Sequence, residues 1–290
     1  RDAYAVGSFT LDELQIVEEC RNALAPTTAF KRMKMTAANE HAEAAGVYEI
    51  AMEEVPLRVV SPEEKRNVEL PESYEMTGDR GIKLADVKTG KATLDEFVAQ
   101  LTEEELAGIV RGEGMGSPKV TAGTAAAFGG VTKSLLEKGI PCGCCDDGPS
   151  GMRLDSGMKA FSLPNGTLLA CTFNTQLNEE LYAFTAVEMI KNRVDILLGP
   201  GMNIHRHPLN GRNFEYFSED PLLTGKMAAA QVRGLKSAGV TGSLKHFCGN
   251  NQETRRHTSN SIISERALRE IYLRGFEIAV KEAKADAVMT

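Results

Sequence analysis

The chain has 290 residues, enough to bury a large core in one or two domains, and its 42% hydrophobic and 25% charged residues are those of an ordinary globular protein. A formal net charge of -7 and a pI near 5.4 argue against a nucleic-acid groove or an anionic membrane surface as partner. No apolar run approaches the ~20 residues of a membrane-spanning helix.

Residues 1–35 open on the apolar-alternating Tyr4-Ala-Val6-Gly-Ser-Phe9, followed by a predicted helix over 11–24. Residues 36–92 hold Pro56, Pro62, Pro71, Gly78, Gly81 and Gly90 among many charges, without sustained periodicity. They read either as an extended connector or as a linker with no order of its own. From Thr93 the signals sharpen. Thr93 with Glu96 and Thr102 with Glu105 are successive capping boxes, and Leu101 with Leu106 fits a hydrophobic staple. Thr121 to Gly130 reads as a small-residue flexible loop, and Lys133 to Lys138 as a helix closed by Gly139.

Beyond this point apolar runs and helical periods alternate. Strands are predicted over 140–144, 167–172, 194–198 and 240–247, with another starting at Ala287. Between them lie a helix capped by Asn178, a helix from Asp220-Pro221 to Ser237, and a helix capped by Ser264. In the last, Leu268, Ile271, Tyr272, Phe276, Ala279, Val280 and Ala283 follow the 3.6-residue period. Such alternation argues for a parallel sheet or a barrel, which periodicity alone does not separate.

Six cysteines (Cys20, Cys142, Cys144, Cys145, Cys171, Cys248) are too few and too irregular for a secreted disulfide framework, which favours a reducing, cytoplasmic compartment. Cys142-Gly-Cys144-Cys145 has no second ligand pair at zinc-site spacing and reads as small core thiols. The chain starts at Arg1 without an initiator Met and stops at Thr290 inside an expected strand, so it reads as part of a longer protein.

Three stretches carry chemistry. Gly242-Ser-Leu-Lys245-His246-Phe-Cys-Gly-Asn250-Asn251-Gln-Glu253-Thr-Arg255-Arg256 runs from an apolar strand into a polar loop at the strand's carboxyl end, where parallel α/β folds bind ligands. A solvated, charge-rich loop is the plainer reading. Asp146-Asp147-Gly148-Pro149-Ser-Gly151-Met-Arg153 puts a carboxylate in a turn after another strand. There it can accept two hydroxyls or merely satisfy local amides. The third runs from Gly199 to Pro221 and contains Asn203, His205, Arg206, His207, Gly211-Arg212-Asn213-Phe-Glu215-Tyr and Ser218. The Arg212 fork of donors suits vicinal hydroxyls; Arg153 and Arg206 offer the same chemistry or brace the loops. His205 and His207, with His246 as a third, raise the alternative of a metal-dependent hydrolase, which no further acidic or histidine motif supports.

Taken together, in this order, the three stretches closely resemble glycoside hydrolase family 3 in its β-glucosidase-like branch, over residues from about 95 to 290. The resemblance implies that residues 93–290 are the N-terminal part of a (β/α)8 TIM-like barrel, left incomplete. It also implies a domain-permuted arrangement, with residues 1–35 as the tail of a fibronectin-like β domain and 36–92 as the connector. Asp147, Arg212, Lys245 and His246 match the family's sugar contacts, and no cofactor is implied. Adjacent strand residues point to opposite faces, so Lys245 and His246 can share a ligand only if the backbone is irregular between them. A non-proline cis peptide or a bulge would serve.

Retaining glycosidases use two carboxylates about 5 to 5.5 Å apart. The family's nucleophile is an aspartate in a Ser/Thr-Asp-Trp-like motif on a later strand, and this chain has no Trp. The family's acid/base is a glutamate of a separate α/β sandwich domain. The bacterial N-acetylglucosaminidase branch instead follows Lys-His-Phe with Pro-Gly-His, where this chain has Cys248-Gly249-Asn250-Asn251. The implied function is therefore the substrate-binding part of a retaining exo-acting β-glycosidase, most naturally a β-glucosidase, with no catalytic residue in the segment itself. β-Xylosidase, exo-β-glucanase and a non-hydrolytic sugar-binding module are the alternatives. Expected partners are a β-glucoside or cello-oligosaccharide, the remaining domains of the enzyme and a second copy as homodimer, with neither nucleic acid nor membrane among them.

Overall fold

The computed structural model describes residues 22–34, 51–59, 61, 63, 66, 73 and 75–290. The chain divides into two compact units, Arg1–Leu70 with Ile262–Glu265, and Pro71–Ser261 with Arg266–Thr290. In the first, β1 (Lys31–Met33) pairs antiparallel with β2 (Met52–Glu54), and Arg32 Nε meets Glu53 Oε1 at 2.7 Å across the pair. The opening alternation at Tyr4 to Phe9 and most of the helix expected over 11–24 lie outside the described residues, as do 36–50, 60, 62, 64, 65, 67–72 and 74 of the connector.

The second unit begins with three short helices, α1 (Leu84–Lys88), α2 (Leu94–Ala99) and α3 (Glu103–Arg111). Both expected capping boxes close α2 and α3: Thr93 and Thr102 accept from the Glu96 and Glu105 amides, and each glutamate reaches back to its cap. Glu105 also accepts from the buried Lys138 ammonium at 2.9 Å, which ties α3 to the end of α4 (Lys133–Glu137). Gly139 follows α4 with φ +86°, the left-handed turn expected of it.

Five strands form one sheet in sequence order: β3 (Ala126–Gly129), β4 (Cys142–Asp147), β5 (Ile196–Leu198), β6 (Thr241–Lys245) and β7 (Ala287–Met289). The first pairing is antiparallel and the other three are parallel, so the sheet is a parallel-rich α/β structure. Between β4 and β5 come α5 (Gly166–Cys171) and α6 (Thr175–Lys191). α7 (Pro221–Lys236) joins β5 to β6, and α8 (Arg274–Ala283) precedes β7. One core cluster gathers Cys144, Leu197 and Leu244 from neighbouring strands with Met189, Met227, Val232, Leu235 and Phe276 from the helices.

α7 is the buried central helix, packed between α6 and α8. Asp220 starts it, its carboxylate accepting from the Leu222 and Leu223 amides at 2.6 and 3.1 Å with Pro221 in the first turn. Two glycines let the neighbours approach. A Cβ on Gly234 would stand 2.3 Å from the Glu179 carbonyl of α6, and one on Gly225 would stand 2.8 Å from Ile278 of α8.

The structure corrects several boundaries. Residues 167–172 are helix α5, not a strand: Asn165 caps them by accepting from the Leu168 amide at 2.9 Å, and a six-residue apolar run cannot by itself tell strand from helix. α6 is capped by Asn174, not Asn178. Asn178 is buried inside the helix, donating to the Met227 carbonyl at 2.8 Å and accepting from Gln231. The small-residue loop over 121–130 contains β3, and the connector contains β2 and α1. The helix expected from Ser264 is interrupted by a π turn, Leu268–Tyr272, before α8. Among the described residues no helix is long and apolar enough to cross a membrane.

Candidate functional site

Asp147 is the last residue of β4 and Lys245 the last of β6, so both stand at the carboxyl edge of the parallel strands. The Lys245 ammonium lies 2.9 Å from Asp147 Oδ1 and 3.8 Å from Glu215 Oε2. Lys245 is 3% exposed and Glu215 4%, while Asp147 keeps 31% of its side chain open, so the aspartate is the member of the trio that a ligand can reach. Arg153 stands 3.3 Å from the other oxygen of Asp147 and pairs also with Asp155. Burial opposes the Asp147 charge, but the Lys245 hydrogen bond and charge, with help from Gly148 and Arg153, hold its carboxyl below the usual range.

Arg212 directs Nε onto Glu215 Oε1, so one buried glutamate holds Arg212 and Lys245 at once. Burial works against the Arg212 charge and Glu215 outweighs it, raising the guanidinium pKa further. A short 3-10 turn, Asn213–Glu215, places both ends of this pair, with His205 Nε2 2.9 Å from the Asn213 carbonyl oxygen bracing the loop.

The Lys245–His246 peptide is cis, as are Phe247–Cys248 and Gly199–Pro200. Asn203 grips the backbone beyond the strand: its Oδ1 accepts from the His246 amide and its Nδ2 donates to the His246 carbonyl, both at 2.8 Å. The His246 ring meets Tyr216, whose hydroxyl lies 3.1 Å from Nδ1, with the rings edge to face at 6.2 Å between centroids. Burial, then the Arg212 and Lys245 charges, push the His246 pKa down to about 4, so the imidazole is neutral at pH 7.

All four residues singled out in the sequence therefore join one cluster. Asp147 and Lys245 touch directly, Arg212 joins through Glu215, and His246 follows Lys245 in the chain and feels both cations. Glu215, Tyr216 and Asn203 were missed, although they stand inside the Gly199 to Pro221 stretch. Asp146, one residue from Asp147, is fully buried, and neither carboxylate oxygen has a side-chain hydrogen-bond partner among the described residues. Burial lifts its pKa to about 7. His207 accepts from the Leu209 amide at its Nδ1, so His205 and His207 serve their own loop rather than facing His246 as ligands. A separate cavity of about 690 Å³, lined in part by Asn165, Thr167, His205, Arg206 and Phe214, includes none of the four.

The donor and acceptor inventory suits a polyhydroxylated ligand. Asp147 can only accept, Arg212 and Lys245 can only donate, and a neutral imidazole does one of each. The glycosyl hydrolase family 3 N-terminal domain profile matches residues 76–290. A protein named beta-glucosidase from Ruminococcus albus is 61% identical over the whole of this chain, which spans 30% of that protein. The crystal structure of a beta-glucosidase from Paenibacillus barengoltzii superposes with a TM-score of 0.91 at 58% identity, over 97% of this chain and 30% of that one. Beta-glucosidase 3B from Thermotoga neapolitana, solved in complex with alpha-D-glucose, gives a TM-score of 0.62 at 43% identity, over 68% of this chain and 29% of that one. The chain thus spans under a third of the length of these relatives, and on the profile match and the whole-chain identity it belongs to glycoside hydrolase family 3.

Proposed function

We propose that the chain is the substrate-binding part of a retaining exo-acting β-glucosidase, one that removes terminal non-reducing β-D-glucosyl residues from a β-glucoside or cello-oligosaccharide. The observation that carries this reading is the Asp147–Lys245–Glu215–Arg212 network at the strand ends. In it Asp147 accepts two sugar hydroxyls as a charge-assisted pair, while Lys245 keeps it ionised. Arg212 and His246 supply further contacts around the same ring. The buried glutamate fixes both cations before the sugar arrives, so little ordering is left to bind it. The glucose complex of the Thermotoga relative supports glucose as the sugar.

In this reading the five-stranded sheet is the first part of an incomplete (β/α)8 barrel. Residues 93–290 form it, 36–92 are a connector and 1–35 the tail of a preceding β domain. The rest of the barrel supplies the nucleophile, and a further domain of the enzyme the acid/base. Asp147 and Glu215 instead anchor the cations of the sugar subsite. The leaving group of a hydrolase must receive a proton, and Asp147, its pKa lowered beside Lys245, has none to give.

Calorimetric titration of the full chain with D-glucose tests the binding role. Saturable binding is expected, weakened at least about tenfold by Asp147→Asn through loss of charge-assisted hydrogen bonds. Absence of saturable binding by the unsubstituted chain overturns it. With an aryl β-glucoside the chain is expected to give no turnover, and turnover that survives purification overturns the placement of the catalytic pair elsewhere.

A further inference from the structure

The proposed sugar site gives no role to Glu253. Glu253, in the loop after β6, divides its oxygens: Oε1 accepts from Asn250 Nδ2 at 2.8 Å and Oε2 from Arg256 Nη1 at 2.6 Å. The same Asn250 Nδ2 donates to the Tyr216 hydroxyl at 2.9 Å, and that hydroxyl lies 3.1 Å from His246 Nδ1. These four contacts form one chain from Arg256 to the imidazole.

The direction of every bond in the chain follows from its far end. Arg256 only donates, and an ionised carboxylate only accepts. Glu253 therefore offers Asn250 an acceptor, and Asn250 must turn its NH2 group, not its carbonyl, towards Glu253 and Tyr216. The Tyr216 oxygen receives one of those hydrogens, which leaves its own proton for His246 Nδ1. A ring nitrogen that accepts carries no hydrogen, so the neutral imidazole keeps its hydrogen on Nε2. The charge states suit this: burial opposes the Glu253 charge, but Asn250 and Arg256 hold the carboxyl below its usual range.

We propose that Glu253 is a positioning residue that sets the tautomer of His246 through Asn250 and Tyr216, so that Nε2, the ring's remaining polar atom, is an N–H donor for the sugar. This deepens the reading of His246 as a sugar contact and rests on it for its purpose. A donor there complements the Asp147 acceptor. One takes hydroxyl hydrogens and the other supplies one, so the site distinguishes the two ends of a hydroxyl network rather than merely attracting polar groups.

Substitution of Glu253 by Gln separates this from a bracing role. Arg256 needs an acceptor and takes the glutamine oxygen, so the glutamine NH2 faces Asn250. The Asn250 amide then inverts, Tyr216 donates to its Oδ1, and the Tyr216 oxygen accepts a hydrogen from His246 Nδ1. The tautomer swaps while every contact keeps a partner.

The test is the long-range ¹H–¹⁵N spectrum of the full chain labelled at histidine nitrogen, near pH 7 and without sugar. The chain has five histidines, and the signals that vanish in His246→Asn identify the ring. The expected result is an Nε2–H imidazole in the unsubstituted chain and exchange of the protonated and unprotonated nitrogen shifts in Glu253→Gln. An Nδ1–H ring in the unsubstituted chain, or an unchanged tautomer in folded Glu253→Gln, overturns the proposal. If Glu253→Gln does not fold, Asn250→Ala is read instead. It deprives Tyr216 of its donor and is expected to give mixed tautomers, an unchanged Nε2–H ring overturning the proposal. Because no sugar is present, failure here leaves glucose binding untouched, and failure of the glucose titration leaves the tautomer result standing.

Discussion

Lys245 and Asp147 are 98 residues apart in sequence, yet the ammonium of one lies 2.9 Å from the carboxylate of the other. The contact spans two parallel strands with β5 between them, and Glu215 completes it from below water's reach at 3.8 Å. Lys245 thus bridges two carboxylates, and removing it leaves like charges facing each other. Lys245→Met is expected to lower stability by about 2–3 kcal/mol, as loss of one member of a buried pair does, discounted for the exposed part of Asp147. Urea unfolding would measure it. Adding Asp147→Asn to the variant should recover part of the loss, and strict additivity of the two changes would contradict the coupling.

Glu215 tests the other branch of the network. Glu215→Gln keeps the volume and one acceptor but gives up the charge that holds both Arg212 and Lys245. Hydrogen bonds to charged groups are worth about 1.5–3 kcal/mol, so glucose affinity is expected to drop about tenfold or more as Arg212 loses its fixed orientation. Calorimetry on the variant gives the number. Affinity equal to that of the unsubstituted chain would show that Arg212 orients itself without Glu215.

The close approach of α6 and α7 makes a third prediction. Gly234→Ala sets a Cβ 2.3 Å from the Glu179 carbonyl, so the two helices must separate, at a cost of about 2 kcal/mol or more. Gly239 has no neighbour within 4 Å but holds φ +87°, and Gly239→Ala is expected to cost only the left-handed strain, about 1–2 kcal/mol. Thermal unfolding of the pair compares them. A Gly234→Ala no worse than Gly239→Ala would mean that the helix contact yields easily.

Much of this was legible in the sequence, for physical reasons that differ by residue. Asp220-Pro221, Thr93 with Glu96 and Thr102 with Glu105 are local signals, and they placed helix starts because capping is decided within four residues. Asp147, Arg212, Lys245 and His246 were chosen through motif resemblance, and the structure joins the first three through Glu215 while His246 faces Tyr216. Glu215 and Tyr216 stayed unread because their importance lies in long-range pairing, one with Lys245 and the other with His246, which no local pattern encodes. The strand wrongly expected at 167–172 failed at the other extreme. Leu168, Leu169 and Ala170 are as apolar as a buried strand, and only the Asn165 cap reveals the helix.

Asp146 and His246 place opposite pH slopes on stability, and this yields the last prediction. The Asp146 pKa rises from 3.8 to about 7 on folding, with burial the main cause and Asp147, Arg153 and Asp155 the charges around it. Between those values the native state holds a proton that the unfolded state has lost, so stability falls as pH rises. The His246 pKa falls from 6.5 to about 4, so in that window the unfolded state holds the extra proton and stability rises with pH. Each slope is at most about 1.4 kcal/mol per pH unit, and from about pH 4 to 6.5 they largely cancel. Asp147, with its depressed pKa, loses its contribution only as pH falls below the ordinary carboxylate range. Asp146→Asn is therefore expected to do two things. It should stabilise the protein at pH 7.5, where the unsubstituted carboxylate is forced to ionise in a buried site, and expose a stability that climbs with pH from 4 to 6.5. His246→Asn should show the reverse, a stability that declines across the same interval. Urea midpoints at half-unit pH steps would separate the three proteins. Parallel curves for all of them would mean that neither group changes its protonation on folding.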